Sequence, residues 1–223
     1  MTTQPAKVVD MPAPGDKVSP VRAHRRPLVI IWFVLMVVGL FAADIAIKYW
    51  SFNRVAGEPV VIDTQAQLDD PRYNPIPYHE PQVVVPKILS LRLTTNRGAV
   101  FGLGKGGRPV FIGVSIIATA VVLTLFLRSS AKAWVYHAGL ALVLSGALGN
   151  LYDRVVYQAV RDMFLLFPDW HLPFGLSWPN GSTELYPWIF NFADVALVVG
   201  VILLGILSWH YDRLQRIASK AQG

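Results

Sequence analysis

Four stretches of the chain are apolar for the thickness of a bilayer, and the segments between them are polar, proline-rich or alternating. A helix rises about 1.5 Å per residue, so crossing a hydrocarbon layer about 30 Å thick takes about 20 apolar residues. Residues 27–47 (PLVIIWFVLMVVGLFAADIAI), 110–127 (VFIGVSIIATAVVLTLFL), 133–151 (AWVYHAGLALVLSGALGNL) and 189–209 (IFNFADVALVVGVILLGILSW) fit that requirement. The pattern predicts an all-α membrane protein of four transmembrane helices. Between the first two spans, residues 49–109 begin dense in Pro and Asp. They then alternate in VVVPKILSLRLTTN, which predicts short strands and a small extracytoplasmic β element on the membrane surface. Residues 153–188 contain Pro168, Pro173, Pro179, Pro187 and the turn Asn180-Gly181, and are expected to be a structured loop without helix. Residues 1–26 lack apolar periodicity and read as a disordered leader, and 210–223 as a short tail.

Charge sets the expected orientation. Lys17, Arg22, Arg25 and Arg26 precede the first span, Arg128 and Lys132 lie in the short second link, and Arg213, Arg216 and Lys220 follow the fourth span. Short loops rich in Lys and Arg stay cytoplasmic, so both ends are expected inside and residues 49–109 and 153–188 outside. In those long segments Glu58, Asp63, Asp69, Asp70, Asp169 and Glu184 dilute the basic residues. Over 223 residues, 53% are apolar and 15% charged, which is not the balance of an ordinary soluble domain. The net charge of +6 then reflects topology and anionic lipid. No basic stripe interleaved with aromatics appears, so no nucleic-acid partner is expected. The absence of cysteine excludes disulfides, thiol catalysis and zinc–thiolate sites. The first apolar run is about twice a signal-peptide core, and Asp44 and Lys48 stand where a small-residue cleavage site would be needed. It is read as a retained anchor.

Ionisable groups at membrane depth cost several kcal/mol and mark functional or helix-bridging positions. Asp44 and Lys48, four apart near the outer end of the first span, are spaced for an ion pair. Asn150, Asp153 and Arg154 project to one side where the third span ends. There Asp153 and Arg154 either neutralise each other or leave Arg154 to hold a substrate carbonyl or phosphate. Asn191 and Asp194 are three apart, one turn into the fourth span. Asp162 follows shortly after the third span, so the two helices can bring Asp162 and Asp194 to one depth. Two neighbouring carboxylates do not readily both ionise; one keeps a proton while the other polarises water, as an aspartyl hydrolase requires. His137, inside the third span, reads as a packing residue, and His171 has no assigned role.

TTNRGAVFG (94–102), SGALGNLYDRV (145–155), VRDMF around Asp162 and FNFADVALVVG (190–200), in this order after an Asp/Lys pair, resemble lipoprotein signal peptidase, the type II signal peptidase of bacteria. The resemblance covers roughly residues 28–209, a peptidase domain of 27–209. It implies an aspartyl endopeptidase of the inner membrane that removes the signal peptide of diacylglyceryl-modified prolipoproteins just before the lipidated cysteine. Asp162 and Asp194 would be its catalytic dyad. Asn96, Asn150, Arg154 and Asn191 match polar residues around substrate and dyad, and Asp44, Lys48, Gly98 and Asp153 match supporting positions. Gly98 and Phe101 would sit in the outer β element over the site. The family uses neither metal nor organic cofactor; the implied partners are lipidated prolipoproteins and membrane lipid, with a monomer expected. The site would open laterally to admit an acylated helix.

Three features depart from the family pattern. Val195 replaces the usual Ser, the interval from Asp162 to Asp194 is long, and Arg161 replaces a small aliphatic residue. Turned inward, Arg161 would lower the pKa of Asp162. The extra residues 163–188 are expected to lie over the outer mouth. A transporter that uses Asp44, Asp153 and Asp194 as an ion path is the main rival, weakened because the charges gather at one face. A non-catalytic lipid-binding or assembly protein is the second.

Overall fold

In the computed structural model, the described residues are 21–70, 73–98 and 107–220. Most of the expected leader and Phe101 lie outside them. Four helices are long and apolar enough to cross a membrane: α1 (Pro27–Arg54), α3 (Gly107–Arg128), α4 (Trp134–Val156) and α5 (Phe192–Lys220). A short helix, α2 (Thr64–Asp69), follows α1. Pro27 opens α1 at a position where its missing N–H costs nothing. Each long helix outruns the apolar stretch that predicted it; α1 continues to Arg54 because Lys48, Ser51 and Phe52 are buried beneath the sheet.

The helix α4 is central. In its apolar window 61% is buried, against 17–22% in the other three, whose remaining surface is apolar and exposed as lipid contact demands. Small residues let α5 approach it. A Cβ on Gly146 would collide with the Ala193 carbonyl, and one on Gly200 would press on the Gly139 carbonyl and Val143. Close backbone approach of this kind drives association where lipid removes the hydrophobic incentive. At the other side of α4, Phe33 stacks on Phe126 with centroids 4.0 Å apart, over Val37, Leu140 and Leu144.

The sheet has four antiparallel strands in sequence order, β1 (Gln82–Val85), β2 (Leu89–Asn96), β3 (Val160–Leu166) and β4 (Ile189–Phe190). The first two were expected. The sequence pattern instead predicts a loop over the third and the start of the fourth span at Ile189–Phe190. Val160–Met163 are all buried, so the strand lacks the alternation that marks a half-exposed one. Leu91, Leu93 and Met163 pack with Phe52 of α1 and with Val55 just after it, fastening the sheet to the helices.

The end opposite the sheet gathers the basic residues expected on one side. Residues 21–26, read as the close of a loose leader, are held there: Ala23 N–H donates to Ser129 O (3.0 Å) and Ala131 N–H to Val21 O (2.8 Å). Arg22 and His24 donate to the carbonyls of Arg128 and Leu127, capping the otherwise unpartnered end of α3. His137 is fully buried, with Nε2 2.7 Å from Ser129 Oγ and its ring edge-on to Phe126, which is a packing role.

Candidate active site

The sequence places an Asn where chain direction changes from β4 into α5. Asn191 is the residue before the helix, not one turn inside it, and Asp194 lies in the first turn. Asn191 Oδ1 accepts from Asp194 N–H at 3.0 Å while Asp194 Oδ2 accepts from Asn191 N–H at 3.2 Å. This reciprocal cap satisfies two orphan donors of the helix and fixes both side chains. The pattern N-x-x-D before an apolar run was the available signal for it.

Asn191 reaches Asp162 because β3 brings that carboxyl alongside. With Oδ1 committed to the cap, its Nδ2 must point the other way. It donates to Asp162 Oδ1 at 2.6 Å and to Asn150 Oδ1 at 3.1 Å. Asn150 is oriented in turn by a cation, since Lys48 Nζ sits 3.3 Å from its Oδ1. Its Nδ2 therefore faces Asp194 and donates to Oδ1 at 2.7 Å. Two amides, each with its oxygen end fixed, thus aim donors at two carboxylates. Asp162, 2% exposed, also receives the side chain of Asn96 from the end of β2. Its pKa is pushed up to about 7, first by burial and then by the charge of Asp194, while the bonds from Asn191 and Asn96 act in the opposite direction.

Beneath Asp162 and Asp194 lies a buried charge cluster. Lys48 Nζ is 2.8 Å from Asp44 Oδ2 and 3.3 Å from Asp153 Oδ2. The i, i+4 pair is as expected. Asp44 also reaches across to α5, accepting from Ala193 N–H at 2.9 Å, an approach that a side chain on Gly149 would block. Asp153 does not pair with Arg154. Arg161 claims it instead, through its own N–H (2.9 Å), Nε (3.2 Å) and Nη2 (2.8 Å), with the guanidinium over the Tyr157 ring at 4.1 Å. Strand geometry explains this. Neighbours on β3 point to opposite faces, so Arg161 turns to α4 while Asp162 turns to Asn191. The inward Arg161 that would have lowered Asp162 is therefore not found. With Lys48 and Arg161 against Asp44 and Asp153, the cluster sums to zero formal charge.

Arg154 donates to Asn150 O at 3.2 Å and lies 4.8 Å over the Phe111 ring, facing Asp194 and Asp162 electrostatically. Gly98 closes the far side of that ring. Its φ of +86° suits glycine, a Cβ there would strike Phe111, and its N–H donates to Asn96 Oδ1 at 2.9 Å. All ten residues singled out in the sequence thus gather at one end of the bundle, and no chain of them crosses it. Among the described residues no group of three or more His, Cys, Asp or Glu could hold a metal ion.

Sequence reasoning missed the pairing of Arg161 with Asp153, which anchors β3, and the aromatics at the mouth. A cavity of about 480 Å³ reaches Asp162 and is bordered by Tyr73, Asn74, Thr94, Pro187, Trp188 and Ile189. The tip of the 167–188 excursion is not part of it, since Phe174 is 97% exposed. The excursion does buttress the mouth, with Trp178 4.7 Å and Tyr186 5.3 Å from the Trp188 ring. The Tyr186 hydroxyl has its pKa raised by burial and by Asp194.

Residues 36–210 match the family model described as signal peptidase (SPase) II. A lipoprotein signal peptidase of Dichelobacter nodosus is 32% identical over 183 residues, covering 80% of this chain and 94% of that protein. One of Desulfitobacterium hafniense is 37% identical over 133 residues, or 60% and 77%. Among solved structures, a bacterial membrane enzyme determined in meso at 2.3 Å resolution superposes with a TM-score of 0.56 at 25% identity, over 82% of this chain and 90% of that one. A second, at 1.9 Å, gives 0.58 at 24% identity and supports the fold alone. With a family match over most of its length and a relative aligned nearly end to end, the chain belongs to the signal peptidase II family of aspartic-type membrane peptidases.

Proposed function

We propose that the protein removes signal peptides from diacylglyceryl-modified prolipoproteins before the lipidated cysteine, with Asp162 and Asp194 activating a water molecule. The observation that carries this reading is the joining of the two carboxylates through Asn191, one on a strand and one on a helix cap. Their surroundings differ in the way an acid and a base require. Asp162 holds a proton to about pH 7 and acts as the acid. Asp194 accepts from Asn150 and from Asn191 N–H, and acts as the base.

In the reaction, water oxygen bonds to the scissile carbonyl carbon and gives a proton to Asp194, while Asp162 protonates the carbonyl oxygen. The tetrahedral diol then collapses. The C–N bond breaks, the amine takes the proton from Asp194, and Asp162 recovers its own from the hydroxyl. No covalent adduct with the enzyme is formed. Arg154, resting on Phe111, is positioned to hold the substrate backbone or its lipid-linked polar group.

The concentration of basic residues at the opposite end supports an inner-membrane protein with this site at the extracytoplasmic face. Purified protein in detergent with one lipidated prolipoprotein tests the reading. Cleavage by the wild type and none by Asp162→Asn or Asp194→Asn is expected; full turnover by either variant would overturn the mechanism.

A further inference from the structure

The mechanism accounts for one end of a longer groove. A second cavity of about 360 Å³ adjoins the one at Asp162 and shares Asn74, Thr94 and Ile189 with it. It continues along β2 to Arg92, Tyr78 and His79. Leu91 and Leu93 are buried on the helix side of this strand, so Arg92 and Thr94 face the other way and form the floor. From Asn96 to Arg92 the strand advances roughly 13 Å at ~3.3 Å per residue, the reach of about four extended residues.

The far wall is built from residues 73–79 and tied to the floor at both ends. At one end the Arg97 guanidinium donates to the carbonyls of Tyr73 (2.5 Å), Asp70 (3.2 Å) and Gln67 (3.4 Å). At the other, His79 Nε2 accepts from Leu93 N–H at 3.0 Å, within the register shift where β2 and β3 lose their pairing. His79 Nδ1 then donates to Pro77 O at 3.0 Å, which fixes the tautomer. Pro187, Trp188 and Ile189 border the groove near Asp162. The Tyr78 hydroxyl takes up Glu80 by a hydrogen bond. Arg92 is exposed at the far end and makes no ion pair among the described residues.

We infer that this groove binds the first residues after the cleaved bond as an extended strand, and that Arg92 selects an acidic side chain among them. The inference rests on the peptidase reading. A substrate whose signal helix lies among the spans and whose bond lies at Asp162 must send its mature chain away from the helices. The groove is the path that leaves Asp162 along the solvent face of the sheet. Its polar lining suits a backbone with hydrophilic side chains, and a groove set by Arg97 and His79 does not need to be ordered on binding.

Two diacylglyceryl-modified peptides with one signal sequence test it, one ending shortly after the cysteine and the other carrying a further short tail, made with Asp or with Lys. The tailed peptides should have the higher kcat/KM, and Asp should exceed Lys by about two- to fivefold, the range of an exposed ion pair. Arg92→Glu should reverse that order. Asn74→Trp, which narrows the groove, should lower kcat/KM for the tailed peptides by a larger factor than for the short one. Equal kcat/KM for short and tailed peptides, or an unchanged Asp preference in Arg92→Glu, would overturn the groove assignment. Failure to cleave any of these peptides would overturn the peptidase reading itself, a result distinct from cleavage without dependence on the tail.

Discussion

Replacing Asp162 by Asn removes an ionisable group at almost constant volume, and the structure predicts opposite effects on activity and stability. Only 2% of the residue is exposed, and burial with the Asp194 charge moves its carboxyl from 3.8 to about 7. That is a rise of about 3 units, and at about 1.4 kcal/mol per unit the ionised carboxylate costs the fold about 4 kcal/mol. The folded-state value lies above the unfolded one. The protonated carboxyl's contribution is therefore complete below about pH 4 and is lost as pH rises through about 7. Asn avoids this loss and can still offer its carbonyl to Asn191 Nδ2. Unfolding of the two proteins in detergent, followed from about pH 4 to about pH 8, should show the smallest difference at the acid end. The variant should lead increasingly toward the alkaline end, by up to about 4 kcal/mol, while cleaving nothing. A difference that does not grow with pH, or a variant less stable at pH 8, would refute the argument that burial governs this carboxyl.

Further outcomes follow from the same geometry. Because Asp162 is assigned as the acid, kcat/KM should decline as pH rises through about 7, and a profile flat well beyond that value would remove it from the role. Arg161→Leu leaves Asp153 its Lys48 contact and the backbone N–H of residue 161 but removes the guanidinium, and should cost about 3–5 kcal/mol in unfolding measurements, as expected for a broken buried pair; a neutral result would show that Arg161 does not anchor β3. Gly149→Ala forces Asp44 off Ala193 N–H, so a stability loss of about 1–3 kcal/mol with impaired turnover is expected, whereas wild-type behaviour would show the approach to be slack. Replacing Pro173–Ser182 by a short Gly-Ser link withdraws Trp178 from Trp188 and should lower turnover with thermal stability kept; unchanged kinetics would show the excursion to be dispensable. An impermeant thiol reagent on intact spheroplasts should label a cysteine placed at Thr64 and spare one at Ser129, and the reverse would invert the proposed orientation.

The spans were legible because length and hydropathy are local properties, and the strands around residues 83–96 because a half-exposed strand alternates. β3 was not, since Val160–Met163 are buried on both faces and an Arg and an Asp inside such a run contradict the usual strand composition. Asp44 with Lys48 could be read from spacing alone. The pairing of Asp153 could not. Arg154 is adjacent in sequence and Arg161 eight residues away, and only the turn after α4 decides between them. Likewise, helical spacing placed Asn191 and Asp194 on one face, but the backbone ends the helix at Phe192 and makes Asn191 its cap. The wall at residues 73–79 depends on bonds to β2 that no local pattern announces.

The buried cluster also bears on how the chain enters its membrane. Within α1, Lys48 and Asp44 lie one helical turn apart and neutralise each other using only that helix. A hydrophobic segment carrying such an internal pair presents little net charge to the insertion machinery, so α1 can partition into lipid before any neighbour arrives. Docking of α4 then widens the partnership to include Asp153, while Asp44 turns its second oxygen to the start of α5. The same two side chains would serve first as a passport for one helix and later as the clasp among three.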